Sequence, residues 1–368
     1  MELKYVEDHT IFECIVGSQA YGTHTPESDE DRAGIMIPGK EYFLGLKHFE
    51  QFVFQNCDKT IFDIRKALNL IADNNPNSLD LLFTPERCIV KNTSFWEKVI
   101  LEKSLFLSKK IRYTFAGHAI AQLKRIKMHR KFLLCPCEIK PKRQDYGLSE
   151  ISVFPTSQIK AIFLAAIDFI KEEQRSDFVN ELDKIYANYI IPLLASFLIP
   201  EQQKLAMEWL QLGIKSQCNS FTSLGTTYIK DEYIDQAQRE LKYFDAFQEW
   251  KQYEEWKKTR NKKRADLEKK FGYDTKHSMH LVRLLKMAKE GLSKGQIFVD
   301  RTHIDAEELK EIRNGSWSYE QVEEYAIQQD KELNKLYLIS NLPKVPDREK
   351  ISVLCMKLVD SFYYYKNE

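Results

Sequence analysis

The sequence predicts an α+β protein, with a mixed sheet and helices over residues 1–112 and a larger all-α domain over residues 113–368. Three observations predict it. Residues 1 to about 110 alternate short apolar runs with turn signals, the pattern of a small sheet domain. Beyond Tyr113 glycine is rare and amphipathic stretches with helical spacing recur. A chain of 368 residues is also long for one hydrophobic core.

The elements follow in order. Residues 11–16 and 33–37 are apolar runs that read as strands, as do residues 49–54 and 58–62. From Asp63 the period changes: Ile64, Leu68, Ile71 and Ala72 fall on one helical stripe. The turn residues Asn74-Asn75-Pro76-Asn77-Ser78 end that helix, and Ser78 is expected to cap the next. Residues 158–173 and 231–270 read as long amphipathic helices, and no repeat of fixed period runs through the chain. Residues 133–149, with their prolines, glycine and charges, read as an exposed loop, with a mobile lid as the sharper alternative.

Composition narrows the class. Forty-three per cent hydrophobic and thirty per cent charged residues are ordinary for a soluble globular protein. The first residues are charged rather than signal-like, and the longest apolar run, residues 189–200, is too short to span a bilayer. Seven scattered cysteines fit a reducing cytoplasm, and Cys135-Pro136-Cys137 lacks the second pair that a zinc site would need. The net charge of +1 hides a basic segment: Lys109 to Arg143 holds eleven Lys/Arg against Glu138 alone. That segment is expected either to be a solvated helix face or to meet a polyanion such as RNA.

The chemistry concentrates near the N-terminus, in Gly17-Ser18-Gln19-Ala20-Tyr21-Gly22-Thr23-His24-Thr25-Pro26-Glu27-Ser28-Asp29-Glu30-Asp31. Gly17 and Ser18 supply a small turn whose amides and hydroxyl can close on phosphate. Asp29 and Asp31 alternate on one strand face, and two carboxylates aimed together repel unless a cation lies between them. Gly-Ser, a spacer and Asp-x-Asp together resemble the signature of the DNA polymerase beta superfamily of nucleotidyltransferases. The fuller phrase resembles a bacterial and phage branch that includes proteins linked to RNA-repair ligases.

That resemblance implies Mg²⁺-dependent transfer of an NMP from an NTP to an acceptor hydroxyl, with release of pyrophosphate. Two Mg²⁺ ions are expected, with Mn²⁺ as an alternative. An RNA or tRNA end is the favoured acceptor, ahead of a nucleotide, a small molecule or a protein. It also implies a third metal carboxylate, with Asp58 preferred, Asp63 as the alternative through its competing role as a helix cap, and Glu50 more remote. Arg65 or Lys66 is a further phosphate candidate.

Downstream, Lys276, His280 and Arg283 share one face of a helix capped by Asp274 or Thr275. Its apolar stripe is Met279, Val282, Leu285 and either Met287 or Ala288. Residues 272–285 also resemble the second signature of the branch, as does the phrase from Val299-Asp300-Arg301 to Ser318. Lys276, His280 and Arg283 are therefore expected to bind triphosphate or acceptor, and Arg301 follows behind them. His277 with His280 makes a thin metal pair, and Asn75-Pro76 with Asp80 is explained by turn formation. The aromatic residues between Tyr243 and Trp256 are expected to pack in a core rather than stack on bases. The competing expectations are a catalytically silent nucleotide- or RNA-binding module and a toxin–antitoxin-type partner.

Overall fold

The computed structural model describes residues 3–54, 57–150, 231–260 and 262–366. Strand β1 (Thr10–Ile15) is the sheet's most enclosed strand, because five of its six residues are buried and it lies between two partners. It pairs antiparallel with β2 (Arg32–Met36) and with β5 (Ile89–Asn92). On the other side β2 pairs in parallel with β4 (Lys59–Asp63), and β3 (Gln51–Val53) closes the edge antiparallel to β4. The order is β3-β4-β2-β1-β5, the mixed sheet that the sequence predicts.

Helix α1 (Leu3–His9) precedes β1, and the short α2 (Gly17–Tyr21) follows it. Helix α3 (Ile64–Ala72) buries the predicted stripe of Ile64, Leu68, Ile71 and Ala72. The next helix, α4 (Pro76–Leu79), starts three residues earlier than expected: Asn75 caps it, its side chain accepting from the Asn77 and Ser78 amides, and Pro76 fills the first turn. Helices α5 (Ser94–Leu101) and α6 (Ile111–Leu134) complete this half.

The C-terminal half supplies α7 (Asp231–Thr259), α8 (Lys262–Phe271), α9 (Thr275–Lys294), α10 (Ala306–Arg313), α11 (Tyr319–Ile339) and α12 (Arg348–Lys366). Among these α9 is central, packing on α6, α10 and α11. Its stripe of Met279, Val282, Leu285, Met287 and Ala288 is buried in a core shared with Ile11 and Phe12 of β1 and with Phe362 of α12. Leu281 is fully buried there, so Leu281→Ala is expected to cost about 2–5 kcal/mol.

The chain divides into two compact units, one of Met1–Leu134 with Asn261–Glu368 and the other of Cys135–Arg260. The boundary expected at 112/113 falls inside α6, and the helices after residue 261 share the core of the sheet. Within the second unit, the loop after α6 is held to α7, where Arg239 donates to the Gly147 carbonyl at 2.8 Å. Lys140 lies over the Trp250 ring at 5.4 Å, and Tyr243 and Phe247 stack at 5.8 Å along α7. The helix expected at residues 158–173 lies outside the described residues. Among the described residues no helix is long and apolar enough to cross a membrane.

Candidate active site

The turn after β1 sets the site. Val16 N–H donates to the Asp31 carbonyl at 2.9 Å, which brings the residues before β2 alongside the start of α2. Gly17 then adopts φ +67°, and a Cβ there would stand 2.9 Å from Asp31 Oδ2. Only glycine lets the backbone take that left-handed conformation and approach the carboxylate so closely. Ser18 follows in the first turn of α2.

The parallel pairing of β2 and β4 brings in the third carboxylate. Arg32 is registered with Lys59, and Arg32 N–H donates to the Asp58 carbonyl at 2.7 Å. Asp31 and Asp58 each immediately precede their strand, so both stand at the same end of the sheet. Partial desolvation pushes the Asp31 carboxyl above its ordinary range, the charges of Asp58 and Asp29 push it further, and Lys276 opposes them. Three carboxylates and a lysine from α9 therefore act on one another across a short space.

Asp63, at the far end of β4, is occupied differently. It is buried, its Oδ1 accepts from the Arg65 amide at 2.7 Å, and its Oδ2 pairs with Arg65 Nη2 at 2.7 Å. It caps α3 and neutralises Arg65 rather than facing Asp31. Glu50 is exposed and pairs with Lys66 Nζ at 2.8 Å, which removes both residues from the constellation.

A cleft of about 560 Å³ opens beside these groups, lined among others by Gly17, Asp31, Asp58, His280 and Arg283. Ser18, Asp29 and Lys276 do not line it; Asp29 and Lys276 reach it through their fields at Asp31. Asp274 is the cap of α9, its side chain accepting from the His277 amide at 2.9 Å. The sheet end and the α9 face thus bound one cavity.

Residues 2–134 match the RNA repair pathway DNA polymerase beta family. That stretch carries the whole sheet, the Gly17 turn and the carboxylates Asp29, Asp31 and Asp58, whereas α9 lies outside it. An "uncharacterized 38.9 kDa protein in nrdC-mobD intergenic region" of Enterobacteria phage T4 is 27% identical over 126 residues. The alignment spans 31% of this chain and 37% of the phage protein, about a third of each. No solved structure matches the chain. The match is to a nucleotidyltransferase-type family of RNA repair, and the fold agrees with it.

Beside the expected Arg283, the cleft is lined by Tyr21, Asp80, His118 and Gln122, which were not expected as site residues. Arg283 is buried with its guanidinium stacked on Tyr21, Cζ lying 3.7 Å from the ring centre, and Nη1 reaches Met287 Sδ at 3.1 Å. The Tyr21 hydroxyl donates to Asp80 Oδ2 in a buried bond. Burial pushes Asp80 up to about 6, against the opposing pull of Arg283 and of the Tyr21 bond. Asp80 belongs to the phrase read as a turn, yet its side chain lines the cleft, as do His118 and Gln122 one helical turn apart on α6. The available signals were Tyr21 inside the Gly-Ser phrase and the i, i+4 pair on α6.

Arg87 is the other residue missed, and nothing in its local sequence marks it. Its Nη1 and Nη2 donate to the carbonyls of Gln19 and Ala20 at 2.9 and 3.0 Å, and its Nε pairs with Asp300 at 3.1 Å. The adjacent Arg301 N–H donates to the Tyr21 carbonyl at 3.2 Å, closing the end of α2 from the other side. The Arg301 side chain does not line the cleft: it is buried against Glu290 at 2.6 Å and Asp305 at 2.7 Å. The Val299-Asp300-Arg301 phrase thus fastens α2 through Arg87 and Tyr21 instead of supplying a cleft cation.

The basic segment on α6 is partly spent within the fold. Lys110 pairs with Asp73, Arg112 with Asp330, Lys127 with Glu323 and Arg130 with Glu320. Lys124 and Arg125 are exposed on the same helix.

Proposed function

We propose that the chain is a Mg²⁺-dependent nucleotidyltransferase that moves an NMP from an NTP onto an acceptor hydroxyl, with an RNA end as acceptor. The observation that carries this reading is the gathering of Asp29, Asp31 and Asp58 at one sheet end, beside a left-handed glycine turn. Desolvation and the charges of Asp58 and Asp29 together raise Asp31, and an all-oxygen donor set fits Mg²⁺ better than a softer ion. Asp29, Asp31 and Asp58 would hold it. When bound, Mg²⁺ supplies positive charge that stabilises the displacement at phosphorus and the departing pyrophosphate.

The residues of this chain account for the rest. Backbone amides at Gly17 and the Ser18 hydroxyl hold the β- and γ-phosphates. Asp58 takes the proton of the acceptor hydroxyl as its oxygen bonds to the α-phosphorus, while the bond to the bridging oxygen breaks and pyrophosphate leaves. Lys276 and Arg283 offset the charge that accumulates on the phosphates, and the stacking of Arg283 on Tyr21 fixes its direction beforehand. Lys124 and Arg125 offer contacts for an RNA backbone.

The reading is tested by incubating the protein with each α-labelled NTP, Mg²⁺, and separate pools of RNA, protein and metabolites. Label in the RNA pool with stoichiometric pyrophosphate is expected. Label in another pool changes the acceptor, and tight nucleotide binding with no transfer in any pool replaces the enzyme by a binding module.

A further inference from the structure

The first turn of α9 belongs to a second cluster that the cleft does not use. His129 of α6, Glu268 of α8 and Asp274 at the cap of α9 each offer a donor atom, and the three atoms lie within 4.8 Å of one another. His129 Nδ1 is 3.1 Å from Glu268 Oε1 and 3.9 Å from Asp274 Oδ2. His277 Nε2 stands 3.8 Å from that same Asp274 oxygen, and the two imidazole rings are 5.9 Å apart.

The burial is what makes the cluster unusual. Glu268 is 1% exposed and Asp274 2%, so two carboxylates are withdrawn from water side by side. Asp274 uses one oxygen, Oδ1, to cap α9. Its other oxygen, Oδ2, is inaccessible to solvent and has no hydrogen-bond partner among the described residues, although it faces both histidines. An acceptor left in that state is costly.

We propose that His129, Glu268 and Asp274, with His277 as fourth donor, form a structural site for a divalent cation of the zinc class. Two imidazoles and two carboxylates are a nitrogen and oxygen set that suits Zn²⁺ or Co²⁺, in contrast to the oxygen-only set of the cleft. Donors about 2.0–2.1 Å from a tetrahedral ion stand roughly 3.3 Å from each other; the His129–Glu268 pair at 3.1 Å is already near that spacing, and the other donors close in on the ion by side-chain rotation. Binding releases a proton from any charged imidazole and exchanges the His129–Glu268 contact for two bonds to the ion. The ion ties α6, α8 and the start of α9 together, and Lys276 lies between two of its ligands in sequence.

Metal-free, tag-free protein titrated with Co²⁺ tests this. One equivalent is expected to bind with the visible absorption of a four-coordinate site, to be displaced by Zn²⁺ and not by excess Mg²⁺, and to raise the Tm. Binding should survive Asp29→Asn, Asp31→Asn and Asp58→Asn combined, and fall at least a hundredfold in His129→Gln and in Glu268→Gln. Where those variants do not fold, the wild-type Co²⁺ protein must still show paramagnetically shifted proton resonances from two imidazoles. Wild-type protein that binds no Co²⁺, binding unchanged in folded His129→Gln, binding lost in the triple aspartate variant, or absence of shifted imidazole resonances each overturns the site.

Discussion

Asp58 and Asp63 flank the same five-residue strand and meet opposite fates. Asp63 turns inward, and both its oxygens are engaged by Arg65 at the head of α3. Asp58 opens on the cleft and joins Asp31 in a field of like charge. A carboxylate with a built-in cation stabilises the fold, whereas one surrounded by other carboxylates is held ready for a ligand. Partners within the structure decide between the two uses more surely than position in a motif.

The largest effect should come from Asp31→Asn combined with Asp58→Asn. Transfer of label should fall by at least about 10³-fold, while Tm holds or rises because repelling charges are removed. Asp63→Asn should do the reverse, lowering stability in urea by about 1–3 kcal/mol and leaving turnover per folded molecule within a few fold. If Asp63→Asn abolishes turnover and Asp58→Asn does not, the two roles must be exchanged.

Next in size is the α9 face. Lys276→Met or Arg283→Met should weaken NTP binding about ten- to a hundredfold in titration calorimetry, a loss matched to a charged hydrogen bond. Equal affinity in both variants would make the face scaffold.

The titration of Asp31 sharpens the comparison further. Its raised carboxyl takes up a proton at a higher pH than an ordinary aspartate, so transfer should decline on acidification sooner than a normal carboxylate would dictate. Asp58→Asn removes one repelling charge and should lower the Asp31 midpoint seen by carbon-13 NMR. An unchanged midpoint would mean that the two carboxylates do not share a site.

The smallest effect concerns stability. Asp80 rises from 3.8 to about 6 on folding, so protonation favours the folded state. Its contribution is full below 3.8 and is lost as pH rises through about 6. Urea unfolding of Asp80→Asn across that window should show a flatter pH slope than wild type; an identical slope would assign the proton uptake elsewhere.

Much of this was legible in the sequence because glycines, caps and paired aspartates act locally. The left-handed Gly17, the cap at Asp63 and the buried stripe of α3 follow from neighbours a few residues away. The resemblance at residues 17–31 agrees with the family match over residues 2–134. What escaped was long-range. Arg87 and Asp300 are 213 positions apart, and only folding shows that together they hold α2. Likewise the two histidines of α9 look like a pair, but His280 lines the cleft while His277 lies beside Asp274. For the basic segment the sequence left a solvated face and a polyanion surface both open, and the pairing of Arg112, Lys127 and Arg130 with acidic residues of α11 some two hundred positions away was not legible in it.

The clasp on α2 has a consequence for how the protein comes into being. A ribosome that has delivered residues 1–134 has delivered every carboxylate of the proposed site, yet not Asp300, Arg301 or any of α9. At that stage α2 lacks its Asp300 and Arg301 contacts, and the apolar surface that later receives Leu281 and Val282 is still bare. On the proposed reading, the site is complete only once residues 275–301 have been made and docked.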